Sequence, residues 1–173
     1  MVFLTLIFIV LGFFLLIFLF FFVIFPFIFG APFSTTNKRT LRKMVEFSKI
    51  KKTEKVADLG SGNGKIVVEF AKLPAVKEVH GFEINPFLVW FSRRKIKKLG
   101  LQDKAFIHLK NFWNEDLSEY GVISIFQVVF IMKKLERKLK RELKKGSRIV
   151  SNTWKFPNLK IKKHEGKAYL YEI

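Results

Sequence analysis

The 173-residue chain has no cysteine and only three histidines, His80, His108 and His164. The first absence excludes disulfides, thiolate metal sites, iron–sulfur clusters and a cysteine nucleophile. With so few imidazoles a zinc centre is not expected, and no metal ligands are assigned. Charge of either sign is missing before Lys38, whereas the rest of the chain holds 32 Lys+Arg against 14 Asp+Glu, a formal charge of +18. Twelve of the 22 phenylalanines lie at or before Phe33, so two unlike segments are joined. The length leaves room for one domain beside the apolar segment.

From Val2 to Phe29 only Thr5, Gly12 and Pro26 interrupt Phe, Leu, Ile and Val. That run exceeds the ~20 apolar residues that cross a bilayer, and one spanning helix in contact with lipid over residues 2–29 is expected. A cleaved signal peptide would need a basic n-region and an apolar core of only ~7–15 residues, and neither is present. Lys38, Arg39, Arg42, Lys43, Lys49, Lys51 and Lys52 follow the span. The positive-inside rule then puts the N-terminus outside and the following domain in the cytosol. A eukaryotic member of the family discussed below would sit in the inner mitochondrial membrane, but no Arg/Ser-rich presequence is present, which favours a prokaryote. Residues 30–54 read as a connector followed by a basic amphipathic helix from about Asn37, with Leu41, Met44, Val45 and Phe47 as its apolar stripe.

Residues 55–173 alternate strand and helix. Strands are expected at 55–59, 78–83, 105–110, 122–129 and 148–152, with helices at 66–73, 86–98 and 133–145. The tail, 159–163 and 167–173 around His164-Glu165-Gly166, alternates like a hairpin. This order implies an α/β, Rossmann-like, doubly wound and mostly parallel sheet with a C-terminal antiparallel hairpin.

Two turns concentrate the chemistry. Asp58-Leu59-Gly60-Ser61-Gly62-Asn63-Gly64 joins the first strand to its helix. Its glycines permit a tight turn and close approach of a ligand, and its amides, with the helix N-terminus, are expected to form a polar cradle. Glu83 ends the second strand, where a carboxylate can take two ribose hydroxyls. No P-loop Lys-Ser/Thr pair follows the glycines, and the spacing differs from the G-x-G-x-x-G of dinucleotide oxidoreductases.

Asp58 followed by G-x-G-x-G, with Glu83 beyond it, resembles the class I S-adenosylmethionine-dependent methyltransferases. Three stretches, 58–67, Gly81-Phe82-Glu83-Ile84-Asn85-Pro86-Phe87-Leu88-Val89-Trp90-Phe91-Ser92-Arg93 and 135–143, are similar to the membrane-anchored protein-lysine methyltransferases that modify the ATP synthase c-subunit and the adenine nucleotide translocase. The likeness runs from about Pro32 to Pro157. It implies S-adenosylmethionine as cofactor, held by Asp58, Gly60, Ser61, Gly62, Asn63, Gly64, Glu83, Ile84, Asn85, Asn111 and Phe112, and a lysine of a membrane or membrane-proximal protein as acceptor. Phe126 and Gln127, after the fourth strand, are the expected acceptor-side residues, and Trp113, Trp154 and Phe156 are candidates to line a lysine channel by cation–π contact, or else core. The chain departs from the family at Asn111-Phe112-Trp113 (Asp-Leu-Trp), Val129-Phe130 (Pro-Gln) and Thr153-Trp154-Lys155 (Arg-Phe-Pro). Asn111 can still hydrogen-bond adenine but carries no charge.

The basic runs 93–98 and 133–141 read first as solvated helix faces, then as contacts to anionic lipid, and last as a nucleic-acid footprint, since the chain has no room for a separate RNA-binding module. Two other functions stay open: methyl transfer to a lipid or small molecule, and a non-catalytic basic protein of the membrane surface.

Overall fold

Short apolar runs bounded by glycine, asparagine and lysine fold here as alternating strands and helices, as the pattern predicts. The computed structural model describes residues 2–20 and 36–173. Two units are formed, residues 1–34 and 35–173.

In the first unit, α1 (Val2–Leu19) is an uncharged helix of 18 residues whose large side chains, Phe3 and Leu16 among them, are exposed. At 1.5 Å per residue it is about 27 Å long, short of the ~30 Å apolar core of a bilayer. Among the described residues no helix is long and apolar enough to cross a membrane. The single span expected over 2–29 is therefore not seen, and its part from 21 onward, with the connector to 35, lies outside the described residues.

The second unit begins with α2 (Lys38–Ser48), capped by Asn37, whose side chain accepts from the Thr40 amide at 2.7 Å. Its apolar stripe, Leu41, Met44 and Phe47, is buried in the core. Then come β1 (Glu54–Leu59), α3 (Lys65–Ala71), β2 (Val76–Glu83), α4 (Pro86–Lys98), β3 (Ala105–Leu109), β4 (Val122–Ile125), α5 (Met132–Glu142), β5 (Arg148–Asn152), β6 (Lys163–Glu165) and β7 (Ala168–Glu172). The seven-stranded sheet has the order β3-β2-β1-β4-β5-β7-β6, with β7 antiparallel to both neighbours and all other pairs parallel. Alternate residues of the strands feed two cores. Val56, Val79 and Val150 pack against α2, α3 and α4, and Ala57, Ile123 and Ile149 pack against α5.

Three boundaries differ most from the sequence reading. β4 stops at Ile125, not at residue 129, because Gln127 turns out of the ladder to donate to the Leu59 carbonyl at 2.6 Å. The hairpin's first arm is Lys163–Glu165, not 159–163, so His164 sits in a strand and pairs with Tyr169. Helix α5 ends at Glu142, three residues short of the expected Lys145. At the sheet's far edge, Arg93 of α4 donates from Nε and Nη2 to the Ile107 carbonyl of β3, at 2.9 and 2.7 Å.

Candidate active site

Strand order reverses between β1 and β4, and the space beyond their carboxyl ends is where such sheets bind ligands. The glycine turn lies there. Gly60, Gly62 and Gly64 have φ of 77°, 53° and 70°, a region open to glycine at little cost. The expected amide cradle is not what this turn builds. The Gly60 and Ser61 amides both donate to the Phe82 carbonyl, Gly64 donates to Ser61, and Gly62 donates to Glu83 Oε2 at 2.8 Å. The glycines work through space instead. A Cβ on Gly62 would meet nothing within 4 Å, so the turn is open on the side beside Glu83. By contrast, a Cβ on Gly64 would stand 2.8 Å from that of Ser92, and one on Gly81 would be 2.7 Å from Ser61 and Ile107. Gly81 thus lets the turn settle on β2, a role the sequence reading did not assign.

Glu83 is buried and accepts three backbone amides: Gly62 on Oε2, and Ile84 and Asn85 on Oε1 at 2.9 and 2.8 Å. A carboxylate has about four lone-pair sites, so little capacity is left for a second ribose hydroxyl unless one of these amides yields. Asn85, also buried, caps α4 by accepting from the Phe87 and Leu88 amides. Ile84 is half-buried between them. Asn63 accepts from the Lys65 amide at 3.2 Å.

Around this frame sit buried oxygens without a hydrogen-bond partner: both carboxylate oxygens of Asp58, the Ser61 and Ser124 hydroxyls, and Gln127 Oε1. Burial pushes the Asp58 carboxyl up to about 7; the Ser124 hydroxyl, opposite it on β4 and near enough to donate weakly though outside full hydrogen-bond geometry, opposes the shift, and the nearby Glu83 adds to it.

On the acceptor side, Phe126 is half-buried and Gln127 fully buried, beside the end of β1. Asn111 Oδ1 accepts from the Trp113 amide at 3.1 Å, as the cap of a single 3₁₀ turn, Phe112–Asn114, which leaves its amino group and one lone pair for a ligand. Phe112 is buried, its ring 5.0 Å from that of Trp113. Trp113 already carries a cation, Lys134 Nζ, 4.7 Å from its centroid. Trp154 is 40% exposed, next to Thr153, whose φ of 71° is strained for a β-branched residue. Phe156 is buried edge-on to Tyr171 at 5.1 Å and belongs to the core, so it supplies packing and no channel wall. His80 and His108 bond to each other at 3.0 Å across β2 and β3; burial, and then His80, holds the His108 imidazole below the usual range.

Unpaired buried acceptors and two carboxylates gathered at the glycine turn suit a ligand that is cationic and rich in donors. S-adenosylmethionine is one, with its ammonium, sulfonium and ribose hydroxyls. Site and sheet order together define a class I S-adenosylmethionine-dependent methyltransferase. A solved RNA methyltransferase from Salinibacter ruber, bound to S-adenosyl-L-homocysteine, shares the fold with a TM-score of 0.76 and 26% identity over 81% of this chain and 94% of that one. The chain belongs to the family described as the ANTKMT methyltransferase domain, which matches residues 58–163. Its methyl donor is S-adenosylmethionine. It is 34% identical to a protein-lysine N-methyltransferase of Saccharolobus islandicus over 82% of this chain and 93% of that protein. It is also 33% identical to the human lysine N-methyltransferase of the ATP synthase c-subunit over 73% of this chain, but spans only 53% of the human protein.

Proposed function

We propose that this enzyme methylates the side-chain amine of a lysine in a membrane or membrane-proximal protein, and that it is held at the membrane by residues 2–29, with 30–54 as connector and basic helix and 55–173 as the methyltransferase domain on the cytosolic side. The lysine methyltransferases among its relatives support the acceptor, and the uncharged, Phe-rich N-terminal run supports the attachment. The observation that carries the reading is Gln127: its Nε2 is fixed on Leu59, and its Oε1 is a buried acceptor with no partner. A donor N–H placed there satisfies an oxygen whose desolvation otherwise costs about 1–3 kcal/mol.

In this scheme Asp58, Glu83 and Asn111 hold the cofactor by its ammonium, ribose and adenine, with Gly60–Gly64 and Ile84 shaping its walls. Bound S-adenosylmethionine supplies a methyl group on a sulfonium sulfur. The chain's own contribution is positioning. Gln127 Oε1 accepts from the acceptor amine, while the partly apolar surroundings of Phe126, Trp113 and Trp154 favour the neutral amine, whose lone pair is the nucleophile. Among the described residues no carboxylate or imidazole other than Asp58 and Glu83 is placed here to take the proton, which leaves to water before attack.

The test is transfer of isotope-labelled methyl from S-adenosylmethionine by the full chain to native membrane fractions, followed by mass spectrometry. Label on lysine of a membrane protein, lost in Gln127→Leu with cofactor affinity kept, is expected. Label in RNA or lipid with none in protein would overturn the acceptor assignment.

A further inference from the structure

In the second unit, every large apolar side chain that is exposed, Leu99 aside, lies at or just beyond the carboxyl end of a parallel strand. Phe87, Trp90 and Phe91 follow β2, Val129 and Phe130 follow β4, and Trp154 follows β5. Phe130 is 62% exposed and Trp90 58%. These residues are far apart in sequence, and only the topology gathers them at one end of the sheet, the end that carries the cofactor site. Large exposed apolar patches on a soluble unit mark interaction surfaces.

Cations accompany the rings at each station. Arg94 stands 4.7 Å over Trp90. Lys133 and Lys134 follow Phe130, and Lys155 follows Trp154. Lysine is depleted in protein–protein interfaces, whereas aromatic rings backed by Lys and Arg are the makeup of surfaces that seat at the headgroup level of an anionic bilayer. A second copy would bring two +18 chains face to face.

The path of the chain points the same way. Thr36 enters the second unit bonded on both sides at this end. Its carbonyl accepts from Lys65 Nζ, at the start of α3, and its hydroxyl from Asn152 Nδ2, at the end of β5, at 3.1 Å. Thr36 is thus fixed at the rim and not at the opposite end.

We infer that this aromatic and basic rim rests on an anionic phospholipid surface, so that the mouth of the active site opens at the level of the headgroups. Acceptor lysines at that depth are reached directly, and lysines well clear of the surface are disfavoured. The inference uses the methyltransferase reading only for what the mouth admits; the contact itself stands on the rim.

The test uses the full chain carrying Trp113→Phe and Trp154→Phe, so that Trp90 reports alone, in vesicles with lipids brominated near the headgroup. Quenching of Trp90 in phosphatidylglycerol-containing vesicles is expected, falling by roughly half in purely phosphatidylcholine vesicles or in Phe87→Ser/Phe91→Ser. Leu99→Ser, off the rim, leaves it unchanged. Chain recovered with the vesicles and still binding S-adenosylmethionine, but with Trp90 unquenched in either lipid, would overturn the rim contact, including in favour of a protein partner, while leaving the enzyme assignment intact.

Discussion

The two ends of the parallel sheet solve opposite problems. At the amino ends charges are paired, with Arg148 Nε the atom left without a partner. Arg148, 8% exposed, donates to both oxygens of Glu54 at 2.5 Å and to the Lys49 carbonyl at 2.6 Å, and Lys55 bridges Glu78 and Glu119 at 3.0 and 2.8 Å. At the carboxyl ends, Asp58, Ser61, Ser124 and Gln127 keep buried oxygens unpaired, and Thr153 holds a strained backbone. Buried polar groups without partners are destabilising, so they persist where a ligand will engage them. The difference teaches where to look: in a molecule of +18, the site is the place where uncompensated acceptors collect.

The sharpest way to break this contrast is at the amino end. Arg148→Met leaves the partly buried Glu54 without its cation and is expected to cost about 3 kcal/mol in chemical denaturation. Cofactor affinity of the protein that remains folded should stay unchanged in calorimetric titration; a large loss would mean that the two ends are not independent.

Asp58→Asn tests the other end, and pH sharpens it. Because the folded carboxyl titrates at about 7, well above the ordinary carboxylate value, its contribution to stability is full below the unfolded value and is lost as pH rises through about 7. Affinity for the cationic cofactor runs the other way, improving as the carboxylate ionises over that same interval. The expected result is about tenfold weaker binding than wild type at about pH 8, little difference at about pH 6, and stability equal or higher at alkaline pH. A variant less stable than wild type throughout would show that Asp58 is paired after all. The smallest effect belongs to Thr153→Gly, which relieves the left-handed strain and should gain about 1 kcal/mol in thermal unfolding, while loosening the position of Trp154.

The same contrast explains what could be read from the sequence. Strand and helix order, the doubly wound class, Asp58 and Glu83 were legible because each is a local pattern of residue types, whereas the cap of α2 is Asn37 and not one of the hydroxyl residues before it. What escaped depended on contacts across the fold. Gln127 leaves the apolar run of β4 because of a carbonyl on β1, and Gly81 is needed because Ser61 packs on it. The turn's amides look free in sequence but are spent on Phe82 and Glu83. Phe156 carries the same aromatic signal as Trp154, and only packing beside Tyr171 separates core from surface.

Arg93 has a consequence for life at high local density. An enzyme held at a surface, as proposed here, meets its own copies far more often than one in bulk, and an open sheet edge then becomes a template for intermolecular β-pairing. With its guanidinium on the Ile107 carbonyl, Arg93 blocks that growth along β3. The opposite edge, β6, is only three residues long, Lys163-His164-Glu165, and too short and polar to recruit a strand. Both flanks of the sheet thus carry a feature that disfavours strand addition.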